Sequence, residues 1–329
     1  MYTERRRDAQ EWNRDESSGF ADKEGEPIKS FDLRHGVSGM NRRDFLFGAA
    51  AAAAALAISP LARAQDDANS AKLKRISLMS NDFSGLLPEV WGDWSKRPAP
   101  GKMNMMDLPE EVADRLHLHH LEVCNINLLS MEPSYIGEFK ARLRKAKSRV
   151  VDLVVELDPP ATSYRGHISV CSPDPQIRAH AIAETKKWID IAAVLGSPSI
   201  MPNQGVHFLP KDLAPSIAGL KSLVDYGKPK GVAVILEPRG EHLDQLVELI
   251  KGSGAYSNPQ IGTEAGLRLL YPLARTVQHI NDSPRSNLPL AIKLSKQLGF
   301  KGWFSIETDG GPDSWAEIQK VINSLLLYL

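Results

Sequence analysis

Glu237, His279 and Glu307 are the residues of this chain whose types and settings point most directly to chemistry. Each lies near the end of a short apolar run: VAVIL before Glu237-Pro238-Arg239-Gly240, TVQHIND over 276–282, and GWFSIETD over 302–309. A continuous apolar run of this length reads as a strand buried on both faces. A carboxylate at the end of such a strand is costly unless it has a partner. Two carboxylates and an imidazole make a mixed oxygen and nitrogen donor set suited to a divalent ion, and carboxylates also serve as general acids and bases. Intervals of 42 and 28 residues are strand-to-strand intervals, so the fold has to assemble the site. The simpler readings are a Glu237 neutralised by Arg239 and a His279 satisfied inside a core.

The elements that must carry these residues alternate along the chain. Strands are expected over 73–79, 120–128, 150–157, 198–202, 232–237, 260–264, 276–282 and 303–307, with helical patterns between them and after the last. Asp107, Asp174, Asp212 and Asp313 supply helix starts, and Gly196 and Gly299 supply stops. Eight strand–helix units predict a (β/α)8 TIM barrel. An open doubly wound sheet is the competitor, but no Gly-x-Gly-x-x-Gly follows the first strand. In such a barrel the C-terminal strand ends build the active site. This selects Asn125, Asn127, Glu156, Asp158, Asn203, Gln204, His207 and Arg239, along with Asp282 and Asp309, as neighbours of the three residues above. The segment 84–106, with Trp91 and Trp94, reads as a loop inserted over that mouth.

Residues 1–39 carry no apolar period and read as disordered or as an over-long start. Residues 40–64, which open MNRRDFLFG and close ISPLARA, join an Arg-Arg pair to an apolar run too short to span a bilayer, ending in a small-x-small cleavage pattern near Ala64. This is a signal peptide, and 65–329 is left as a single barrel domain with a periplasmic or secreted destination and no membrane anchor after processing. The chain has 40 basic and 40 acidic residues, a balance that gives no support to nucleic-acid binding. Cys124 and Cys171 lie on or near apolar runs and read as reduced and buried rather than as a disulfide framework.

The Arg42-Arg43-Asp44-Phe45-Leu46 string resembles a twin-arginine signal, which implies the twin-arginine export machinery as a partner. LEP at the end of the fifth strand, HIND in the seventh and GFKGWFSIE near the C-terminus resemble the xylose-isomerase-like, sugar phosphate isomerase/epimerase superfamily. The resemblance runs from about Leu73 to the end. It implies a TIM barrel with a divalent-metal site (Mn, Mg, Co or Zn). Glu237 and Glu307 would each be ligand and acid/base, and His279 a ligand. The family's sixth-strand ligand is usually Asp, in a pattern like Gly-x-x-x-Asp-x-Gly. Here Gly266 stands where that Asp is expected, and Glu264, two residues earlier on the same strand face, is the candidate replacement. Asn203, His207, Arg239 and Asp282 are the implied substrate contacts.

The resemblance implies an isomerase or epimerase that moves a proton at the carbon next to a carbonyl, and export favours a free sugar or sugar derivative as its substrate. Two other classes stay open: a metal-dependent carbohydrate lyase or hydrolase, and an inactive carbohydrate-binding barrel that uses its tryptophans for stacking.

Overall fold

Short apolar segments separated by capped helices give a parallel sheet that curls on itself. The structure, a computed structural model, describes residues 68–91, 93, 101–158, 168–205, 211–240, 242–283, 286–308, 310–311 and 313–329. The expected start region 1–39, the signal peptide 40–64, Trp94, His207 and Asp309 lie outside the described residues. The unit described is Ser59–Leu329.

Among the described residues there are eight strands: β1 (Ile76–Met79), β2 (His120–Cys124), β3 (Arg149–Val155), β4 (Ser199–Pro202), β5 (Ala233–Leu236), β6 (Tyr256–Ser257), β7 (Val277–Ile280) and β8 (Trp303–Ile306). All pairs are parallel, in the order β6-β5-β4-β3-β2-β1-β8-β7. Helices follow the strands: α1 (Leu108–Leu116), α2 (Pro133–Lys145), α3 (Pro175–Leu195), α4 (Ala214–Gly227), α5 (Leu243–Ser253), α6 (Glu264–Leu270), α7 (Leu288–Gln297) and α8 (Ser314–Tyr328). This is the expected eightfold alternation of a (β/α)8 TIM barrel. The β6–β7 seam is the one place where strand pairing gives way to other contacts. It is held by a bridge between Ser257 and Ala274 and by side chains: His279 N–H donates to Asn258 Oδ1 (2.9 Å) and Gln278 Nε2 donates to the Pro259 carbonyl (3.1 Å).

α3 shows how the sequence sets these boundaries. Asp174 caps it by accepting from the Gln176 and Ile177 amides, Pro175 takes the first turn, and Gly196 at φ 79° ends it. Between helices and sheet lies a large apolar core that includes Leu121, Val123, Leu153, Trp188 and Phe304, each fully buried. A second cluster, Met79, Cys124, Val151, Val154, Met201, Ile235 and Val277, comes from the other faces of the strands, as period-2 alternation requires. Cys124 and Cys171 are both buried and are not joined in a disulfide. Among the described residues no helix is long and apolar enough to cross a membrane.

The sixth strand differs from its expected position. It is Tyr256–Ser257, not 260–264, and it pairs Ile235 with Tyr256 and Leu236 with Ser257. The run Gly262-Thr263-Glu264-Ala265-Gly266 is instead a helix start. Thr263 caps α6 by accepting from Gly266 N, and Glu264 adds an acid to its first turn. A side chain at Gly266 would press within 2.6 Å of Ile261 Cδ1, so this position is shaped for packing.

Candidate active site

The strand ends deliver Glu237 from β5, His279 from β7 and Glu307 from β8 to one cluster. His279 Nδ1 lies 3.0 Å from Glu237 Oε2 and 3.6 Å from Glu307 Oε2. On its far side, His279 Nε2 is 2.8 Å from Glu122 Oε1. Both Glu122 and the His279 ring are almost completely buried. The hydrogen bond to Glu122 puts a proton on Nε2 and leaves Nδ1 turned to the two carboxylates. Nδ1 is buried and makes no well-directed hydrogen bond; its tie to Glu237 Oε2 is an ion-pair contact.

The other residues of the mouth fix the carboxylates. Glu237 Oε1 is 2.9 Å from Arg239 Nη2, which is also 2.9 Å from Glu156 Oε1. Asn258 Nδ2 donates to Glu237 Oε2 (3.1 Å), and Gln260 Nε2 donates to Glu307 Oε2. Asn203 Nδ2 donates to Glu156 Oε2 (2.7 Å), and Gln204 Nε2 to the Glu237 carbonyl. Asp82 accepts from the Thr308 backbone and hydroxyl and from Met79 N, tying the β1 end to the residue after Glu307.

These settings drive the two carboxylates apart in acidity. Burial works against an ionised Glu237, but the Arg239 charge and His279 outweigh it and hold its pKa down at about 2. Glu307 goes the other way: burial raises it, and the charges of Glu237 and Glu122 add to that against the pull of His279 and Arg239. Burial alone would discharge His279, yet Glu122 above all, then Glu307, keeps its pKa well above the usual imidazole value. Arg239, between Glu156 and Glu237, is held firmly in its charged form. Carboxylates separated in this way divide into one that rests as the anion and one that holds a proton more readily. Glu307, with 30% of its side chain exposed against 7% for Glu237, faces the open side.

Of the residues selected from the sequence, the fold brings Glu237, His279, Glu307, Arg239, Asn203 and Glu156 together. Glu264 is not brought in. It sits on the first turn of α6 with its side chain 56% exposed and pairs with Arg268 four residues on. Asp282 is also directed elsewhere: it pairs with Lys320 of α8 (2.8 Å) and contacts Ser324. Asn125 clamps β2 to β3 through the Glu156 backbone, and Asn127 accepts from Ser80. Trp91 packs against the barrel-interior cluster, with its indole N–H on Glu89. Three participants were not anticipated. Glu122 and Asp152 sit inside apolar strands where an acid is out of pattern, and Asn258 is on a strand too short to show a period.

Among the described residues no group of three or more His, Cys, Asp or Glu side chains stands as a formed metal-binding group, and Arg239, Asn258 and Gln260 engage the carboxylates. The donor chemistry nonetheless fits a divalent cation. Two carboxylates and a buried imidazole nitrogen without a hydrogen bond face one another, and that imidazole is fixed from behind by a carboxylate, the usual support of a metal-binding histidine. Asn258 sits one residue beyond the Leu236–Ser257 pair, beside Glu237. The residue that the sixth strand brings to the cluster therefore carries a carboxamide.

Residues 110–262 match the model of the xylose isomerase-like TIM barrel family, and residues 39–59 match that of the twin-arginine translocation pathway signal sequence. No curated protein matches the chain. Three of the solved structures similar to it show the range. A xylose isomerase domain protein from Planctomyces limnophilus is 19% identical over 76% of this chain and 96% of its own, with a TM-score of 0.57. A xylose isomerase-like TIM barrel protein from Mycobacterium smegmatis in complex with magnesium is 16% identical over 77% and 96%, TM-score 0.57. D-allulose 3-epimerase from Methylomonas sp. in complex with D-allulose is 15% identical over 78% and 98%, TM-score 0.58. At these identities the likeness is one of fold.

Proposed function

Because this chain folds as a xylose isomerase-like TIM barrel behind a twin-arginine signal sequence, we propose that it is an exported, divalent-metal-dependent isomerase or epimerase of free sugars or sugar derivatives. The observation that carries this reading is His279 Nδ1, buried and without a hydrogen bond, set against Glu237 and Glu307. Solved structures of similar fold add support, one of them an epimerase with its ketose and another with magnesium. Removal of the signal near Ala64 would release the barrel into the periplasm or the medium.

Glu237, His279 and Glu307 would hold the ion. A divalent cation supplies Lewis acidity, polarising a sugar carbonyl and stabilising negative charge that develops on its oxygen. Glu307 exchanges a proton with the carbon beside that carbonyl, since its environment raises its basicity and it faces the open mouth. Glu237, anchored by Arg239 and Asn258, serves the opposite side of the same carbon. Glu237, resting as the anion, takes the proton from one face and Glu307, which holds its own more readily, delivers one to the other, so the centre inverts; the reverse reaction runs the same transfers backwards. Arg239 and Asn203, joined through Glu156, line the path of the sugar hydroxyls.

The test is incubation of manganese-loaded protein with ketohexoses, D-allulose first, in deuterium oxide. The proposal expects deuterium at the carbon next to the carbonyl and a new epimer. Manganese binding without any exchange would favour a lyase or hydrolase instead. Asn258 gives a specific reason to keep the inactive carbohydrate-binding barrel as the second reading, and absence of divalent binding would support it.

A further inference from the structure

The barrel interior beneath the cluster is unusual. Inward-facing positions of such barrels are dominated by bulky branched side chains. Here the layer below the cluster contains Ser77, Glu122, Asp152, Ser199, His279 and Ser305, all buried. Two of these are acids, and their meeting has a backbone cause. Leu121 pairs with Val150, but the next residue, Glu122, pairs with Asp152, so the register skips Val151. A bulge of this kind sets two successive residues of one strand against one of its partner and re-aims side chains. Val151 accordingly joins the interior apolar cluster, and Asp152 next to it is brought face to face with Glu122.

Each acid has one engaged and one unengaged oxygen. Glu122 Oε1 holds His279 Nε2, and Asp152 Oδ1 accepts from the Ser199 hydroxyl, which also lies 2.9 Å from Thr276 Oγ1. Glu122 Oε2 and Asp152 Oδ2 are both buried without a hydrogen-bond partner, and the register sets the two carboxyls against each other. A continuous string therefore runs from Thr276 and Ser199 on β4 through Asp152 and Glu122 to His279, crossing the barrel.

We propose that Glu122 and Asp152 are positioning residues for the active site: the carboxyl pair created by the β3 bulge grips His279 Nε2 and aims Nδ1 at Glu237 and Glu307. The value of the grip for cation binding rests on the function proposed above; the grip itself does not. Asp152 acts through Glu122, by holding the carboxylate that holds the ring. Neither acid touches substrate.

The experiment compares wild type with Glu122→Leu, Asp152→Leu and Asp152→Asn, using manganese titration and crystal structures of each protein. Asparagine can still donate to Glu122 Oε2, so Asp152→Asn is expected to bind manganese as wild type does and to keep the ring where it is. Glu122→Leu and Asp152→Leu are expected to weaken manganese binding about 10- to 100-fold, with the His279 ring turned from Glu237. Wild-type affinity and ring orientation in Glu122→Leu would overturn the proposal, as would a loss in Asp152→Asn equal to that in Asp152→Leu. If wild type binds no manganese, the functional reading fails and ring orientation alone decides the positioning role. Should a leucine variant not fold, Glu122→Gln replaces it, with ring orientation again decisive.

Discussion

Asn258 is bonded at once to the two residues on either side of the barrel seam: its amide donates to Glu237 Oε2 and its carbonyl accepts from His279 N–H. A carboxylate at this position could accept from His279 but could not donate to Glu237. The carboxamide thus closes the ring of strands and steadies Glu237 in one contact set. Asn258→Asp would put a second anion beside Glu237. Without added metal it is expected to lower stability by about 1–3 kcal/mol, the cost of a lost buried bond and like charges in contact. Manganese should return that stability and bind at least tenfold more tightly than to wild type. Thermal melts with and without manganese check both.

Glu307→Gln keeps the side chain's size and removes its ability to exchange a proton. General acid–base catalysis contributes roughly 10²- to 10⁴-fold, and solvent-deuterium exchange into the ketose is expected to fall by that factor. Because Glu307 is the more exposed of the two carboxylates, the variant should melt close to wild type.

Arg239 is the shared cation of Glu156 and Glu237. Removing one member of a buried ion pair leaves the other charge uncompensated, a cost of about 3 kcal/mol or more, lessened here by the partial opening of the mouth. Arg239→Met is therefore expected to lose about 2 kcal/mol in urea unfolding at pH 7. Arg239→Lys should recover only part of this, since a single ammonium cannot match the guanidinium fork.

His120 gives a pH dependence remote from the cluster. It packs against Trp303 at 5.4 Å, and burial, with the Arg149 charge in second place, lowers its pKa to about 4. The folded state therefore binds the proton less readily than the unfolded chain, whose histidine titrates near 6.5. The stability held by neutral His120 is complete above about pH 6.5, is lost as pH falls toward 4, and changes no further below that. Chemical unfolding should show a decline of about 1–2 kcal/mol over this window, after discounting for solvent screening. His120→Phe should flatten it.

The barrel was legible because its strands are short apolar runs and its helices carry their own punctuation, as at Asp174, Pro175 and Gly196. Glu237, His279 and Glu307 were legible because each is a polar residue closing such a run. β6 was not, since two residues cannot display a period, and the stronger local grammar of Thr263 and Glu264 drew attention to what is a capped helix. Asn258 was hidden by that shift. Glu122 in HLEVC and Asp152 in VVDLVV were open to notice as acids within apolar strands. Their pairing was not, because the skipped residue at Val151 is a property of the register between two strands and leaves no mark on either one.

The central claim, that Glu237, His279 and Glu307 surround a divalent cation, is tested most directly by a crystal structure grown with manganese and recorded at wavelengths on either side of the manganese absorption edge. The account predicts one strong anomalous peak within coordination distance of Glu237, Glu307 and His279 Nδ1, absent in His279→Ala. A manganese-saturated crystal with no peak there, or with its peak elsewhere in the barrel, would contradict it.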